Sequence, residues 1–305
     1  MDITINDTDD VVIEKLLIYP VKSLQGFSVD TTMLLAQGLE HDRHWMIINE
    51  EGKFITQRLL PLMSLVHTRI DGDSLILFKP SDPLLYDLVI PLQPFLSSQT
   101  LNLAPMFATI WKDECEVIDE GAHVSDWLAQ AIGIPSNYTK KLHLVRMGET
   151  PRVQSKPELL GEDTRTFFAD AAPFLIANQE SLVALNEELA DNNIDPVPME
   201  NFRPNIVISG LPAFAEHQVG ELINRSYTFK QCYPCQRCVI PTINTSTGER
   251  HPQREPFSLL AKLNATEGQS EKTSKVPLFG ENAILTTGDQ RRIRIGDTLT
   301  IKRRS

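Results

Sequence analysis

The chain has 305 residues, of which 41% are hydrophobic and 23% are charged. This composition is typical of a globular protein with a substantial core, and the length predicts about two domains of roughly 150 residues each. The net charge of −11 argues against a duplex nucleic-acid partner, because such binding needs a basic face that replaces phosphate counterions.

No apolar run approaches the roughly 18 residues that a membrane helix needs. Residues 1–10 are polar and acidic, without the basic start, apolar centre or cleavage site of a secretory signal. The sequence therefore predicts a cytoplasmic protein without a membrane partner. Four cysteines are too few for a disulfide scaffold, so we expect reduced thiols that bind or react.

The first half of the chain alternates short apolar segments with turn residues. After a flexible lead, expected at 1–11, strands are predicted at 12–19, 45–48, 53–57, 65–70 and 74–78. The second and third should form one hairpin, and the last two another. Residues 80–94 carry four prolines and should form an irregular crossing or a sheet edge. Ser125 is predicted to cap a helix that Gly133 ends.

A polar segment with two prolines, 148–161, predicts a domain boundary. Beyond it, the spacing of Leu182, Leu185 and Leu189 is typical of one helix face. Further strands are predicted at 205–209, 227–230, 292–295 and 298–302, a short helix at 257–263, and a mobile polar loop at 264–275. Many short strands with two or three helices indicate a mixed α+β, β-rich and barrel-like fold.

The most distinctive local pattern is the cysteine triplet Cys232, Cys235 and Cys238. Two-residue gaps are typical of metal sites, because a turn brings both sulfurs to one side. Zinc, favoured by spacing alone, would need a fourth ligand from Cys115 or a histidine. A ferredoxin-type cluster would need a fourth cysteine and then proline, but none follows. In a third interpretation only one sulfur binds a metal. The chain has no Gly-x-Gly-x-x-Gly or P-loop motif, so no nicotinamide, flavin or ATP site is predicted.

Several ordered motifs together resemble the MOSC domain and its N-terminal β-barrel partner. They are Tyr19-Pro20-Val21-Lys22-Ser23, Asp42-Arg43-His44-Trp45, Phe54-Ile55-Thr56-Gln57-Arg58, residues 201–210, Cys235-Gln236-Arg237-Cys238, residues 242–248, Glu255-Pro256 and Leu278-Phe279-Gly280-Glu281-Asn282. The resemblance covers about 12–302, and its motifs are most similar to those of the mitochondrial amidoxime-reducing component and its bacterial counterparts. It implies an N-terminal β-barrel-like domain at 12–133 and a MOSC β-barrel domain with peripheral helices at 150–303.

The resemblance implies that Cys238 is the protein ligand to molybdenum in a bound molybdopterin cofactor, and hence the catalytic centre. A soft thiolate suits a transition metal, and the adjacent Arg237 is expected to keep it deprotonated. Cys235 would then be structural, while Cys232 and Cys115 have no assigned role.

The cofactor bears a phosphate, and a guanidinium fork binds phosphate through two parallel charged hydrogen bonds. The cofactor-binding positions that the resemblance implies are Lys22, Ser23, Arg43, Arg203, Asn205, Arg58, Arg152 and Asp170. The family often has Thr or Ser before its Pro-Phe-Leu-Ile segment, whereas Asp170 is followed here by two alanines.

The resemblance also implies the activity: a molybdenum-dependent oxidoreductase that reduces amidoximes, hydroxylamines and N-hydroxylated bases. Some bacterial relatives carry their own ferredoxin domain. The four cysteines of such a domain are not expected here, so electrons are predicted to come from a separate ferredoxin, b-type cytochrome or flavin reductase. MOSC domains also occur in molybdenum cofactor sulfurases, which makes a non-catalytic carrier of cofactor or sulfur the alternative. Any association with pyridoxal phosphate is implied only through those sulfurases. A zinc-stabilised β-barrel with a binding role is the third interpretation.

Overall fold

The structure, a computed structural model, describes residues 9–93, 106–135, 138–153, 156–264 and 276–304. The strands within these ranges are β1 (Asp10–Ile18), β2 (Phe27–Val29), β3 (Thr31–Leu35), β4 (Gly38–Leu39), β5 (Trp45–Asn49), β6 (His67–Asp71), β7 (Ser74–Phe78), β8 (Leu88–Pro91), β9 (Met106–Ile110), β10 (Asp113–Asp119), β11 (Leu142–Met147), β12 (Arg152–Val153), β13 (Arg165–Thr166), β14 (Phe174–Asn178), β15 (Ile206–Ser209), β16 (Val219–Ile223), β17 (Thr228–Gln236), β18 (Leu278–Thr287), β19 (Arg292–Arg294) and β20 (Thr298–Arg303). The α-helices are α1 (Ala122–Ile132), α2 (Pro157–Leu160), α3 (Gln179–Asp191) and α4 (Phe257–Leu263), and short 3-10 helices cover Pro61–Leu65, Met199–Phe202, Ala215–Gln218 and Ile240–Thr242.

A closed barrel of seven strands organises the second half of the molecule. Its order is β15-β14-β18-β17-β16-β20-β1, and β1 closes the ring because it also pairs with β15. Closure removes unpaired strand edges. One set of alternating apolar side chains packs together inside, including Ile13, Phe174 and Phe229. The opposite set, including Leu17, packs under α3 and α4. The mixed, β-rich fold class is confirmed.

The N-terminal segment belongs to two regions of the molecule. Although β1 lies within the predicted first domain, it pairs with β15 and β20 of the barrel, and β3 pairs with β19. The chain then crosses to a four-stranded sheet, β5-β11-β10-β9, beside the three-stranded sheet β6-β7-β8. An apolar core around α1 fills this region. The crossing places residues 19–24 at the junction of the two halves.

Most predicted elements are found where the periodicity indicates them. Helix α3 buries Leu182, Leu185 and Leu189, and α4 has the predicted bounds. The predicted cap at Ser125 is wrong, because α1 begins three residues earlier with Gly121 at its N-cap, at φ 103°. A glycine adopts that conformation at little cost. Gly133 ends the helix in the left-handed conformation, as predicted.

Strand pairing departs from the predictions at several points. The return expected at 53–57 forms two isolated bridges, Phe54 with Ile48 and Lys53 with Thr109, rather than a strand. The strand predicted at 227–230 is much longer, since β17 continues through Cys232 and Cys235. Strand β19 pairs with β3, and strand β20 pairs with β1 and β16.

The prolines after β7 lead into the edge strand β8. Residues 1–8 of the expected lead, Pro94 and residues 265–275 of the expected loop lie outside the described residues. Within the part of the chain that the structure describes, no helix has both the length and the apolar character required to cross a membrane.

Candidate functional site at the domain junction

Three chain segments meet where β1 leaves the barrel, and backbone hydrogen bonds hold them together. Arg43 N donates to Tyr19 O at 2.9 Å, Lys22 N donates to Trp45 O at 2.8 Å, and Phe168 N donates to Arg43 O at 2.9 Å. The segments that follow β1, precede β5 and precede β14, which carry several of the predicted cofactor-binding residues, therefore lie side by side.

Lys22 is 3% exposed at this junction. Its Nζ donates to the Phe168 carbonyl at 2.8 Å and to Asp170 Oδ1 at 2.7 Å. Burial lowers the pKa of Lys22, and the Asp170 carboxylate opposes that shift. An ammonium has three N–H donors, so one remains for a ligand.

Asp170 is half-exposed and serves as the counter-ion of Lys22. Burial around the carboxyl would raise its pKa. Lys22, Arg58 and the Trp111 N–H outweigh that effect and lower the pKa of Asp170 to about 2. At neutral pH the group is therefore a carboxylate that orients Lys22, not a proton donor.

Two arginines contact one buried aromatic ring. The guanidinium carbons of Arg43 and Arg203 lie 4.4 and 4.3 Å from the centroid of Tyr19. Arg43 also binds both oxygens of Asp42 at 2.6 Å and the carbonyl of Arg203 at 3.0 Å. Arg203 donates to the Leu24 carbonyl at 2.6 Å. Burial and the nearby Arg43 charge lower the pKa of Arg203 to about 10, so it stays cationic at neutral pH.

Three of the predicted cofactor-binding residues have a left-handed backbone. The φ angles are 67° at Ser23, 52° at Arg43 and 56° at Arg203. This region is uncommon for residues other than glycine, and such residues concentrate at functional sites where surrounding packing holds them. Ser23 is further fixed because its carbonyl accepts from the Gln57 amide at 2.8 Å.

The remaining predicted contacts differ in how their polar atoms are used. Asn205 donates to the Leu17 carbonyl at 3.4 Å and accepts from the Leu175 N–H at 3.2 Å, so its amide joins neighbouring barrel strands. Arg152 is buried beside the Lys22 pair, bound to Asp113 and, at 2.6 Å, to the Ala169 carbonyl. A direct contact of either with a cofactor stays a prediction.

Trp111 is a residue of the site that the sequence analysis missed. It lies at the turn between β9 and β10, and its indole N–H donates to Asp170 Oδ1 at 3.1 Å. The guanidinium of Arg58 lies 4.6 Å from its ring centroid. No motif marks a tryptophan at a hairpin tip. Trp111 reaches the site only because the fold brings the β9–β10 hairpin next to Asp170, which is distant in the sequence.

Cys238 is half-buried in the loop after β17. Asn201 ties this loop to the turn that carries Arg203, since its amide donates to the carbonyls of Pro241 and Ile243 at 3.1 and 3.2 Å. Arg237 adds a bond to the Phe202 carbonyl at 2.7 Å. The loop that holds Cys238 therefore adjoins the cationic junction.

The expected role of Arg237 is not the one that the geometry gives. Its Nη1 donates to Cys235 Sγ at 3.0 Å, so the guanidinium serves Cys235 rather than Cys238. The other terminal nitrogen of the same guanidinium, Nη2, donates to the Phe202 carbonyl at 2.7 Å.

The zinc interpretation depended on a turn that would bring the sulfurs together. Cys232 and Cys235 lie instead on strand β17, where three residues span roughly 10 Å. Among the described residues, no group of three or more His, Cys, Asp or Glu side chains could hold a metal ion. The interpretation in which only one sulfur binds a metal stays a prediction.

Unpartnered buried donors test whether the site fits an anionic cofactor. Arg203 Nη2, Arg152 Nε and Arg237 Nε are buried without a hydrogen-bond partner. Leaving a buried donor unpaired costs about 1–3 kcal/mol, and more for charged groups, so such atoms call for an explanation. A phosphate would satisfy donors of this kind, and the residues therefore fit the group.

A closed barrel preceded by a second β-rich region, with cationic side chains at their junction, defines a two-domain protein of the MOSC class. Residues 10–135 match the MOSC N-terminal beta barrel domain, and residues 163–300 match the MOSC domain. The chain belongs to the family of two-domain MOSC proteins that includes the mitochondrial amidoxime-reducing components.

Named relatives support this membership. Mitochondrial amidoxime-reducing component 1 of Xenopus laevis is 31% identical over 94% of this chain and 80% of its own length. The Homo sapiens protein of the same name is 31% identical over 93% and 81%. The molybdenum cofactor sulfurase of Drosophila grimshawi is 30% identical over 95% of this chain but only 34% of its own length.

Replacing Tyr19 with leucine should weaken anion binding at the junction. A buried cation–π contact contributes about 2 kcal/mol, so loss of the ring that Arg43 and Arg203 contact should weaken pterin binding roughly 30-fold. Tyr19→Phe keeps the ring and should bind normally. Phe229→Leu, in an equally buried barrel position, controls for lost packing. Pterin fluorescence and thermal unfolding of all three variants check this. If Phe229→Leu lost as much pterin as Tyr19→Leu, the loss would be explained by lower stability of the fold rather than by the contacts of the two arginines.

Proposed function

We propose that this protein is a molybdenum-cofactor-dependent reductase of N-hydroxylated substrates: amidoximes, hydroxylamines and N-hydroxylated bases. The observation that carries the proposal is the junction of buried cationic donors, one of them the unpartnered Arg203 Nη2, next to the loop that holds Cys238. The amidoxime-reducing relatives, alignable over most of both chains, support the reaction class.

Some of the predicted residues would bind the cofactor through their charge, and the others would position it. Lys22, Arg43 and Arg203 would bind the anionic part of a molybdopterin, with Ser23, Asn205, Arg58, Arg152 and Asp170 around them. Cys238 would supply the thiolate ligand to the metal. When bound, the cofactor supplies the two-electron reduction, as the protein in such enzymes contributes binding, orientation and electrostatics.

Burial of the cationic side chains strengthens their hold on an anion. A charged hydrogen bond gains strength where water is excluded, and Lys22, Arg152 and Arg203 are largely withdrawn from water. The Asp170 carboxylate fixes the Lys22 ammonium without closing the site, because its own side chain is half-exposed. The chain as a whole is negatively charged, so this cluster of cationic side chains differs in sign from the average charge of the protein.

Electrons would come from a separate donor protein, either a ferredoxin, a b-type cytochrome or a flavin reductase, and the reaction would take place in the cytoplasm. A carrier of molybdenum cofactor or sulfur is the second candidate, and one observation favours it. The sulfurase relative aligns with 95% of this chain.

Turnover separates the two functions. Holoprotein given benzamidoxime and an artificial low-potential electron donor should form benzamidine in many equivalents per bound molybdenum, because a reductase is regenerated after each cycle. Protein purified from cells grown without molybdate is the matched control. Chromatography of the amidine and elemental analysis provide the measurement. Full cofactor loading without catalytic turnover would favour the carrier.

A further inference from the structure

Trp111 has an unusual setting for a tryptophan on a hairpin tip. Its side chain is 47% exposed, and its backbone is left-handed, at φ 57°. A bulky residue in that conformation is strained, and such strain persists where the surrounding structure holds it.

Three contacts fix the indole against the candidate site. Its N–H donates at 3.1 Å to Asp170 Oδ1, the oxygen that accepts from Lys22. The Arg58 guanidinium lies 4.6 Å from its ring centroid, and the Phe54 ring centroid lies at 5.3 Å. The half-exposed aromatic surface is therefore rigid and adjoins the residues expected to bind cofactor.

We propose that Trp111 determines specificity by stacking on planar, delocalised N-oxygenated substrates, and that it favours them over small, non-planar hydroxylamines. The inference rests on the proposed function. A rigid aromatic ring with exposed surface loses little conformational freedom when a second flat group packs on it. An aromatic pair contributes the equivalent of about three- to tenfold in affinity, whereas an aliphatic hydroxylamine offers no flat surface to stack.

The hydrogen bond to Asp170 and the stacking surface can be separated by substitution. Trp111→Phe keeps an aromatic ring but removes the indole N–H, and Trp111→Leu removes both. Phe107→Leu is the matched control, because Phe107 is 49% exposed on strand β9 of the same hairpin.

Equilibrium dialysis of the holoprotein with benzamidoxime and with N-methylhydroxylamine tests the proposal. Trp111→Leu should raise the Kd for benzamidoxime roughly tenfold, the upper end of a stacking effect, and leave that for N-methylhydroxylamine within about twofold. Trp111→Phe and Phe107→Leu should stay near the parent for both compounds, and each Kd is measured on the pterin-loaded fraction so that differences in cofactor content do not enter the comparison.

An unchanged Kd for benzamidoxime in Trp111→Leu would overturn the proposal, as would an equal weakening of both ligands or an equal effect of Phe107→Leu. Binding is measured without turnover, so failure of this proposal can be distinguished from failure of the proposed function. If benzamidoxime binding depends on Trp111 but the protein never forms benzamidine, the proposed stacking site stands and the proposed reductase function fails.

Discussion

Replacing Cys238 with alanine is expected to remove molybdenum from the purified protein and to reduce N-hydroxylate reduction to background. The physical reason is that Cys238 is the one protein thiolate expected to bind the metal. Loss of a group that merely orients a ligand costs about 10- to 100-fold in metal affinity, and loss of the ligand itself should exceed that. The side chain is half-buried in a loop, so the fold should survive. Elemental analysis, turnover and circular dichroism measure the three effects.

The triplet offers its own controls for this experiment. Cys232→Ala and Cys235→Ala remove thiols of similar exposure from the adjoining strand and should retain molybdenum. Cys235→Ala also frees Arg237 from its 3.0 Å contact with sulfur, so a modest loss of stability is expected there. If Cys235→Ala lost the metal and Cys238→Ala kept it, the assignment of the ligand would be wrong. About one equivalent of zinc without molybdenum in the parent protein would instead support a zinc-stabilised β-barrel with a binding role.

Local patterns in the sequence account for most individual elements of this fold. The three leucines of α3 lie on one buried face because helical periodicity alone determines that face. Pairing partners are a different matter, since nothing in the residues of β1 indicates that it closes a barrel against β15 and β20. A strand carries the same alternation whichever neighbour it binds, so the crossing of the N-terminal segment into the second half was not predictable.

The candidate site shows the same division between local motif and distant contact. Motifs identified Lys22, Arg43 and Arg203, and the barrel crossing brings the three to one junction. The contribution of Tyr19, which both arginines contact, follows from a tertiary contact that no spacing encodes. Arg237 hydrogen-bonds Cys235 and the distant Phe202 carbonyl, two contacts that its place beside Cys238 in the sequence does not indicate.

Lys22→Met should deplete the protein of pterin while preserving its fold. The substitution keeps the apolar stem and removes the ammonium whose third N–H is available to a ligand. A hydrogen bond to a charged group contributes about 1.5–3 kcal/mol, so cofactor retention should fall roughly 10- to 100-fold. Asp170 is half-exposed and can be hydrated when its partner is gone. The Phe168 carbonyl loses a donor, so a destabilisation of about 1–3 kcal/mol is expected. Pterin fluorescence and denaturant unfolding measure the two quantities.

Lys302→Met makes the same change in charge and shape at an exposed ion pair with Glu221. Such surface pairs contribute about 0–1 kcal/mol, so this variant should match the parent in both measurements. Comparing the two lysines separates a local effect of the Lys22 ammonium from the change in net charge. Normal pterin content in Lys22→Met would contradict the cationic junction as the cofactor site. Equal depletion in both variants would show that net charge, rather than the position of one buried donor, controls retention. Depletion in Lys22→Met alone would show that the buried Lys22 ammonium, oriented by Asp170 and the Phe168 carbonyl, contributes to cofactor binding at the domain junction.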